Sequence, residues 1–125
     1  MAGTLVPLVM FPRYSGFSWD DHSVVLSTVP IDVSDYQSAI LTVWRGPVRS
    51  GVTFGISLEE STDQNTWTEC DATQSQPYDP GSGDQGVQVA TLAKRWLRAS
   101  IQLGGAASTH EATCWAIGHL ERRQK

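Results

Sequence analysis

Asp20, Asp21 and His22 form one group of side chains in the sequence that could bind a metal ion. Carboxylates and imidazoles are both metal ligands, but known sites place their ligands at spacings that this run does not match. An Asp-Asp-His run directly before a strand is typical of a solvated turn. The sequence therefore favours a turn, and we expect no metal and no cofactor.

Cys114 and His110 could form a nucleophilic thiol with its base, but the sequence places no orienting acid or oxyanion donor beside them. Glu59 and Glu60 are neighbours in a predicted strand, so they point to opposite faces and cannot act as a catalytic pair. We therefore expect a protein that is not an enzyme. Cys70 and Cys114 are expected to be free, half-buried thiols, although a disulfide between them stays open.

Two polar segments, residues 61–65 and 79–84, offer oxygen ligands that calcium could use. Neither segment matches a calcium-binding loop pattern. Asp, Asn, Ser and Gly are also the residues that turns prefer, and turn chemistry explains both segments without a metal ion.

The composition excludes several classes of protein. The chain has 125 residues, a net charge of −4 and 18% charged residues, which indicates one globular domain and not a disordered chain. Lys and Arg are not clustered before the short basic tail at residues 121–125, so we expect no nucleic-acid partner. No apolar run is long enough for a membrane span, and the N-terminus makes a poor signal peptide, so we expect a protein made and kept inside a cell until assembly.

Short apolar runs with a period of two residues, separated by Gly, Pro and polar turns, predict an all-β protein. About eight strands can be assigned, and they fit an antiparallel two-sheet sandwich or jelly roll. The predicted core residues are Leu41, Val43, Phe54, Ile56, Leu58, Leu97, Ile101 and Ile117. A hairpin with a polar tip is expected at residues 52–67, and residues 71–85 are expected to form a long irregular loop.

The sequence contains five Trp residues, a high number for this length. Trp side chains fill cores, but they are also favoured at interfaces and can stack on sugar rings. Trp19, Trp44, Trp67, Trp96 and Trp115 are all candidates for sugar stacking. A carbohydrate-binding sandwich is therefore the alternative function.

Residues 30–44, 54–67, 94–101 and 113–121 together resemble the β-sandwich decoration or cement proteins of tailed bacteriophage capsids. The resemblance rests on a hairpin in which a Ser and a short polar turn precede Trp67, and on the aromatic-Leu-Arg strand that starts at Trp96. A similar pattern occurs in galactose-binding sandwiches of the discoidin type. Gln64 stands where these turns usually have Gly.

The resemblance implies a non-enzymatic virion protein that binds and stabilises a phage capsid through protein–protein contacts. Its implied partners are the major capsid protein and further copies of the chain. Its implied location is the exterior of the capsid, after assembly in the host cytoplasm. For the carbohydrate-binding alternative, the corresponding location is a phage tail appendage or another adhesin.

The first 19 residues are expected to form an arm with an aromatic loop, followed by a single sandwich domain at residues 20–125. The arm combines two prolines, an apolar run and loop aromatics, which is unusual for an exposed monomer surface. The predicted interface residues are Arg13, Tyr14, Phe17, Trp19 and, in the long loop, Tyr78. Two alternatives stay open: the arm docks on a partner, or it packs on its own sandwich as an edge strand.

Overall fold

The computed structural model describes residues 5–19, 23–48, 51–72, 76–105 and 110–123, and these residues form strands and turns but no helix. None of the described residues therefore belongs to a helix that could cross a membrane. The strands are β1 Leu5–Trp19, β2 Ser23–Ser27, β3 Ile31–Asp32, β4 Tyr36–Arg45, β5 Val52–Ser61, β6 Thr68–Glu69, β7 Asp71–Ala72, β8 Gln85–Thr91, β9 Trp96–Gly105 and β10 His110–Arg122.

The strands form two antiparallel sheets. The first sheet has the order β1-β10-β4-β8-β7, and the second has the order β2-β9-β5-β6 with β3 also paired to β9. Strands from the two halves of the chain pair in nested order, because β1 meets β10, β2 meets β9, β4 meets β8 and β5 meets β6. This is one long antiparallel hairpin rolled into a sandwich, which is the jelly roll. The predicted fold class is confirmed.

The core lies between the inner faces of the two sheets. Seven predicted core residues are buried there, as expected: Leu41, Val43, Phe54, Ile56, Leu58, Leu97 and Ile101. Ile117 was predicted wrongly, because it lies half-buried on the outer face of β10, whereas Cys114, Ala116 and Leu120 face inward. Both faces of β10 carry apolar side chains, so its alternation alone does not tell which face is inside.

β1 is the edge strand of the first sheet and pairs with β10 from Leu5 to Trp19. The loop expected from Arg13 onwards is instead strand, since register shifts between Val9 and Phe11 and between Phe11 and Ser15 absorb the extra residues. Leu8 and Met10 of this strand are buried in the core. Of the two alternatives for the N-terminal segment, the structure shows packing on its own sandwich.

β6 belongs to the second sheet and β7 to the first, so the chain crosses between the sheets at Cys70. The segment predicted as a long loop, residues 71–85, contains β7 and the irregular residues 76–84, and residues 73–75 lie outside the described part. The backbone of Tyr78 exchanges hydrogen bonds of 2.9 and 2.8 Å with Ile56 of β5. The Gln76 side chain accepts a hydrogen bond from the Leu58 amide and donates one to the Cys70 carbonyl. These contacts continue the ladder at the β5 edge, which otherwise would expose unpaired backbone groups.

Candidate interaction surface

The outer side of the β1-β10-β4-β8 sheet carries an apolar surface. The strand registers place Val9, Ile117, Thr42 and Val87 side by side in one row across the four strands. Ile40, which is partly exposed, lies in the next row. We call these five residues the outer apolar face. Val9 is 60% exposed and Val87 49% exposed, so this surface is open in the single chain.

An aromatic cluster lies at one end of the outer apolar face. Trp44 of β4 and Trp115 of β10 are cross-strand partners, and their rings stack at 4.5 Å between centroids with an angle of 19° between planes. The Tyr14 ring meets both indoles edge-on, at 5.7 and 5.1 Å. The Arg13 guanidinium lies 4.7 Å from the centroid of Trp115. Such contacts add to the burial energy of aromatic side chains.

The irregular part of β1 positions Arg13 and Tyr14 over the two indoles. Between Phe11 and Ser15 the strand advances four residues while β10 advances only two, from Ala116 to Cys114, so the intervening residues bulge away from the ladder. The Ser15 hydroxyl donates to the Pro12 carbonyl at 2.7 Å across this bulge. Tyr14 has a φ of +59°, a left-handed conformation that is uncommon for a residue with a Cβ atom.

A groove of about 670 Å³ lies beside the aromatic cluster. Residues of β1 border it on one side, and Ile40 and Thr42 of β4 border it on the other. Val9, Ile40 and Ile117 supply much of its apolar surface, and Arg13, Gln85 and His119 contribute polar groups. None of the described residues that line it is Asp or Glu. The groove is therefore apolar inside and basic at its rim, although the chain as a whole is acidic.

The structure brings together only two of the five predicted interface residues. Arg13 and Tyr14 are exposed and belong to the aromatic cluster. Phe17 is half-buried and packs edge-on against Phe11 at 6.0 Å. Trp19 is 7% exposed and belongs to the core. Tyr78 lies on the other side of the sandwich, where it ties the β5 edge to β8.

The sequence did not predict Trp44 and Trp115 as interface residues. Each alternates with apolar residues in its strand, a pattern equally typical of a core position. Their juxtaposition depends on the β4–β10 register, which joins residues far apart in the sequence. No local signal in the sequence predicts that register.

An aromatic ring or a guanidinium group lies against the indoles of Trp44, Trp115, Trp67 and Trp96. Trp44 and Trp115 cover each other, the Arg98 guanidinium lies 4.2 Å from the centroid of Trp67, and the Arg95 guanidinium lies 4.9 Å from the centroid of Trp96. A sugar ring needs an open aromatic face to stack on, and each of these contacts occupies one. The geometry therefore gives the carbohydrate-binding alternative no specific support.

The candidate catalytic and metal-binding groups do not converge among the described residues. Those residues contain no group of three or more His, Cys, Asp or Glu side chains that could hold a metal ion. Asp20, Asp21 and His22 lie outside the described residues, as does the His110 side chain. Glu59 and Glu60 do face opposite ways, since Glu59 pairs with Arg98 at 2.8 Å and Glu60 is buried.

The two cysteines are free and buried, more deeply than the half-buried positions expected. Burial raises the pKa of the Cys70 thiol to about 12, with a further contribution from the nearby Glu60 charge. Burial also raises the pKa of the Cys114 thiol to about 12. Both groups are therefore held as neutral thiols at physiological pH, which is the opposite of what a nucleophile needs.

Two of the three acidic side chains in the candidate calcium segments, those of Asp63 and Asp79, accept hydrogen bonds within their own turns. The Asp63 carboxylate accepts from the amides of Asn65 and Thr66 at 2.8 and 3.0 Å. The Asp79 carboxylate pairs with Arg45 at 2.9 Å and accepts from the Gly81 amide at 2.9 Å. Turn chemistry therefore accounts for the Asp63 and Asp79 carboxylates, in line with the turns that the sequence indicated.

No family model and no curated protein matches the sequence. The fold is similar to that of a chain in the structure of infectious bursal disease virus, Gx strain, with a TM-score of 0.61 and 7% sequence identity. The match covers 94% of the present chain and 31% of the viral one, so the chain spans about a third of the length of that protein. At this identity the likeness concerns the fold alone.

Proposed function

We propose that the chain is a non-enzymatic structural protein of a virus particle that decorates or cements a phage capsid. In this proposal the outer apolar face docks against the major capsid protein. The chain acts from the exterior of the capsid, after assembly in the host cytoplasm, and forms symmetric oligomers there. It needs neither a cofactor nor contact with nucleic acid or membrane.

The observation that carries the proposal is the open row of Val9, Ile117, Thr42 and Val87 across four strands. The solvent-exposed face of an antiparallel sheet usually carries polar side chains, because water contacts it. Contiguous apolar patches with polar rims mark surfaces that other proteins cover. The neighbouring Trp, Tyr and Arg side chains are the types enriched at the energetic centres of interfaces.

The fold supports the same class of function. A jelly roll also forms part of a chain in a virus structure, as the similarity to the infectious bursal disease virus chain indicates. The two thiols are buried with raised pKa values, and the Asp63 carboxylate accepts hydrogen bonds from its own turn, which supports a role without catalysis. A stiff sandwich with one open apolar face suits attachment better than catalysis.

Co-sedimentation with capsids assembled without this chain tests the proposal. Val9→Glu places a charge at the β1 end of the outer apolar face. Burial of an unpaired charge is costly, so binding should weaken by about tenfold or more. Val25→Glu is the matched control, because Val25 is 65% exposed and belongs to β2 of the other sheet. Val25→Glu should bind like the wild type.

Two results would contradict the proposed surface. One is equal capsid binding by Val9→Glu and the wild type when both melt at the same temperature. The other is a loss of binding in Val25→Glu but not in Val9→Glu, which would place the contact on the second sheet. Absence of capsid binding by the wild type itself would remove the decoration role.

A further inference from the structure

The following inference rests on the proposed function and concerns the chemistry of the partner. We infer that the groove beside the aromatic cluster takes a partner-protein segment that carries an aliphatic side chain next to a carboxylate. The aliphatic group enters the apolar part of the groove, and the carboxylate meets Arg13 at its rim.

The apolar part of the groove fits a side chain of moderate size. Val9, Ile40 and Ile117 supply apolar surface, and the volume of about 670 Å³ lies within the usual range of binding pockets. Val9 is largely exposed, so filling the groove would remove apolar surface from water. The volume suits one or two side chains and their backbone better than a whole domain.

Arg13 determines the charge of the ligand. Its guanidinium stacks over Trp115 and forms no ion pair with a described carboxylate. A guanidinium that stacks on a ring keeps its in-plane N–H groups available, and these match the two oxygens of a carboxylate. Because the lining residues include no Asp or Glu, an acidic ligand would meet no like charge in the groove.

The groove favours recognition through side chains and not through strand addition. β1 borders the groove and forms the free edge of the sheet, but it contains Pro7 and Pro12 and two register shifts. Proline removes a backbone donor and bulges interrupt the regular spacing, so this edge is a poor template for a further strand. A partner is therefore expected to use anchors such as Leu followed by Asp.

The probes are two acetylated and amidated tetrapeptides, Gly-Leu-Asp-Gly and Gly-Leu-Asn-Gly, which differ in one charge. Each is titrated into the ¹⁵N-labelled protein while the indole N–H signals of the five Trp residues are followed. The Asp peptide should shift the Trp115 and Trp44 signals selectively. It should bind about two- to fivefold more tightly than the Asn peptide, as expected for a partly exposed ion pair.

Arg13→Gln should abolish the preference for the Asp peptide while leaving binding of the Asn peptide nearly unchanged. Arg122→Gln is the matched control, because Arg122 also lies over an aromatic ring of the same sheet, at 5.2 Å from Tyr36, but does not line the groove. This control should keep the preference. Val9→Ser should weaken both peptides alike, which tests the apolar part separately from the charge.

Three outcomes overturn the inference. They are the absence of selective indole shifts at millimolar peptide, a preference for Asp that persists in Arg13→Gln, and indole signals that change on dilution together with a dimer in sedimentation. The last result would mean that a second copy of the chain occupies the groove. If peptide binding fails while Val9→Glu still loses capsid binding, the docking face stands and only the partner chemistry is wrong.

Discussion

The hydroxyl oxygen of Tyr78 lies 1.6 Å from the position that a Cβ atom on Gly86 would occupy. The Tyr78 side chain thus crosses from the β5 edge of one sheet to β8 of the other, and it fits only because residue 86 has no side chain. Tyr78 was predicted as an interface residue, and the structure gives it this contact within the chain.

Gly86→Ala should therefore lower the free energy of unfolding by about 1–3 kcal/mol, the usual cost of overpacking. In a Tyr78→Leu background the same substitution should cost much less, because the clashing atoms are gone and the two changes are coupled. Urea denaturation of the four proteins measures the coupling. Gly16→Ala is the control, since a Cβ there meets nothing within 4 Å. Additive effects of the two substitutions would contradict this contact.

Gln88 of β8 is fully buried opposite Leu41, and neither atom of its amide group has a hydrogen-bond partner among the described residues. A buried amide without partners lowers stability, whereas a thioether of similar size does not need any. Gln88→Met should raise the free energy of unfolding by about 1–3 kcal/mol. Gln102→Met, at an exposed site on β9, should change it by less than about 0.5 kcal/mol. A destabilised Gln88→Met protein would show that the amide is satisfied.

Ile56 and Ile117 test which faces are inside. Ile56 is 1% exposed, so Ile56→Ala should cost on the order of 2–5 kcal/mol. Ile117 is half-buried on the outer face, and Ile117→Ala should cost about 1 kcal/mol or less. Chemical denaturation of both variants gives the comparison. Equal losses of stability would mean that the Ile117 face of β10, and not the Ala116 face, packs in the core.

Cys70 and Cys114 should resist thiol reagents in the folded protein. With both pKa values at about 12, the thiolate fraction at pH 8 is on the order of 10⁻⁴, and burial also blocks the reagent. Reaction with an aromatic disulfide at pH 8 should be slow in buffer and complete in 6 M guanidinium chloride, where about two thiols per chain should react. Ser82→Cys adds an exposed thiol and should react quickly in buffer. Rapid labelling of the wild type would contradict the burial of the thiols.

The turn that precedes Trp67 should weaken in acid. The amide of Thr66, and then that of Asn65, hold the pKa of the Asp63 carboxyl below its ordinary value of 3.8. A pKa lowered by folding means that the stabilisation is present above the unfolded pKa and is lost as the pH falls through the folded one. Asp63→Asn should therefore be less stable than the wild type at pH 7, with the difference shrinking as the pH falls below 3.8 and through the lowered pKa of the folded state. A difference that does not change between pH 7 and pH 3 would assign it to the turn geometry and not to the charge.

The sequence by itself determined the fold class and the local structure of its turns. Period-two alternation predicted the strands, and it identified the inward faces of β5 and β9 because only one face of each carries a continuous series of apolar residues. β4 carries apolar residues on both faces, and its predicted core residues Leu41 and Val43 are buried. The polar tip at residues 61–65 was predicted from Asp and Asn, whose side chains bond to nearby backbone amides. Gln64, which replaces the usual Gly, adopts the positive φ of +67° that a Gly would provide.

Only the tertiary structure decided which face of β10 is inside and which residues form the candidate surface. Both faces of β10 are apolar, so the choice between Ala116 and Ile117 depends on packing against the other sheet. The register shifts of β1 place Arg13 and Tyr14 over Trp44 and Trp115. Along the chain, Tyr14 is 30 residues from Trp44 and 101 residues from Trp115. Local sequence patterns determine which side chains of a strand share a face, whereas long-range register determines which side chains meet across strands. The sequence therefore predicted the sandwich but not the outer apolar face or the aromatic cluster.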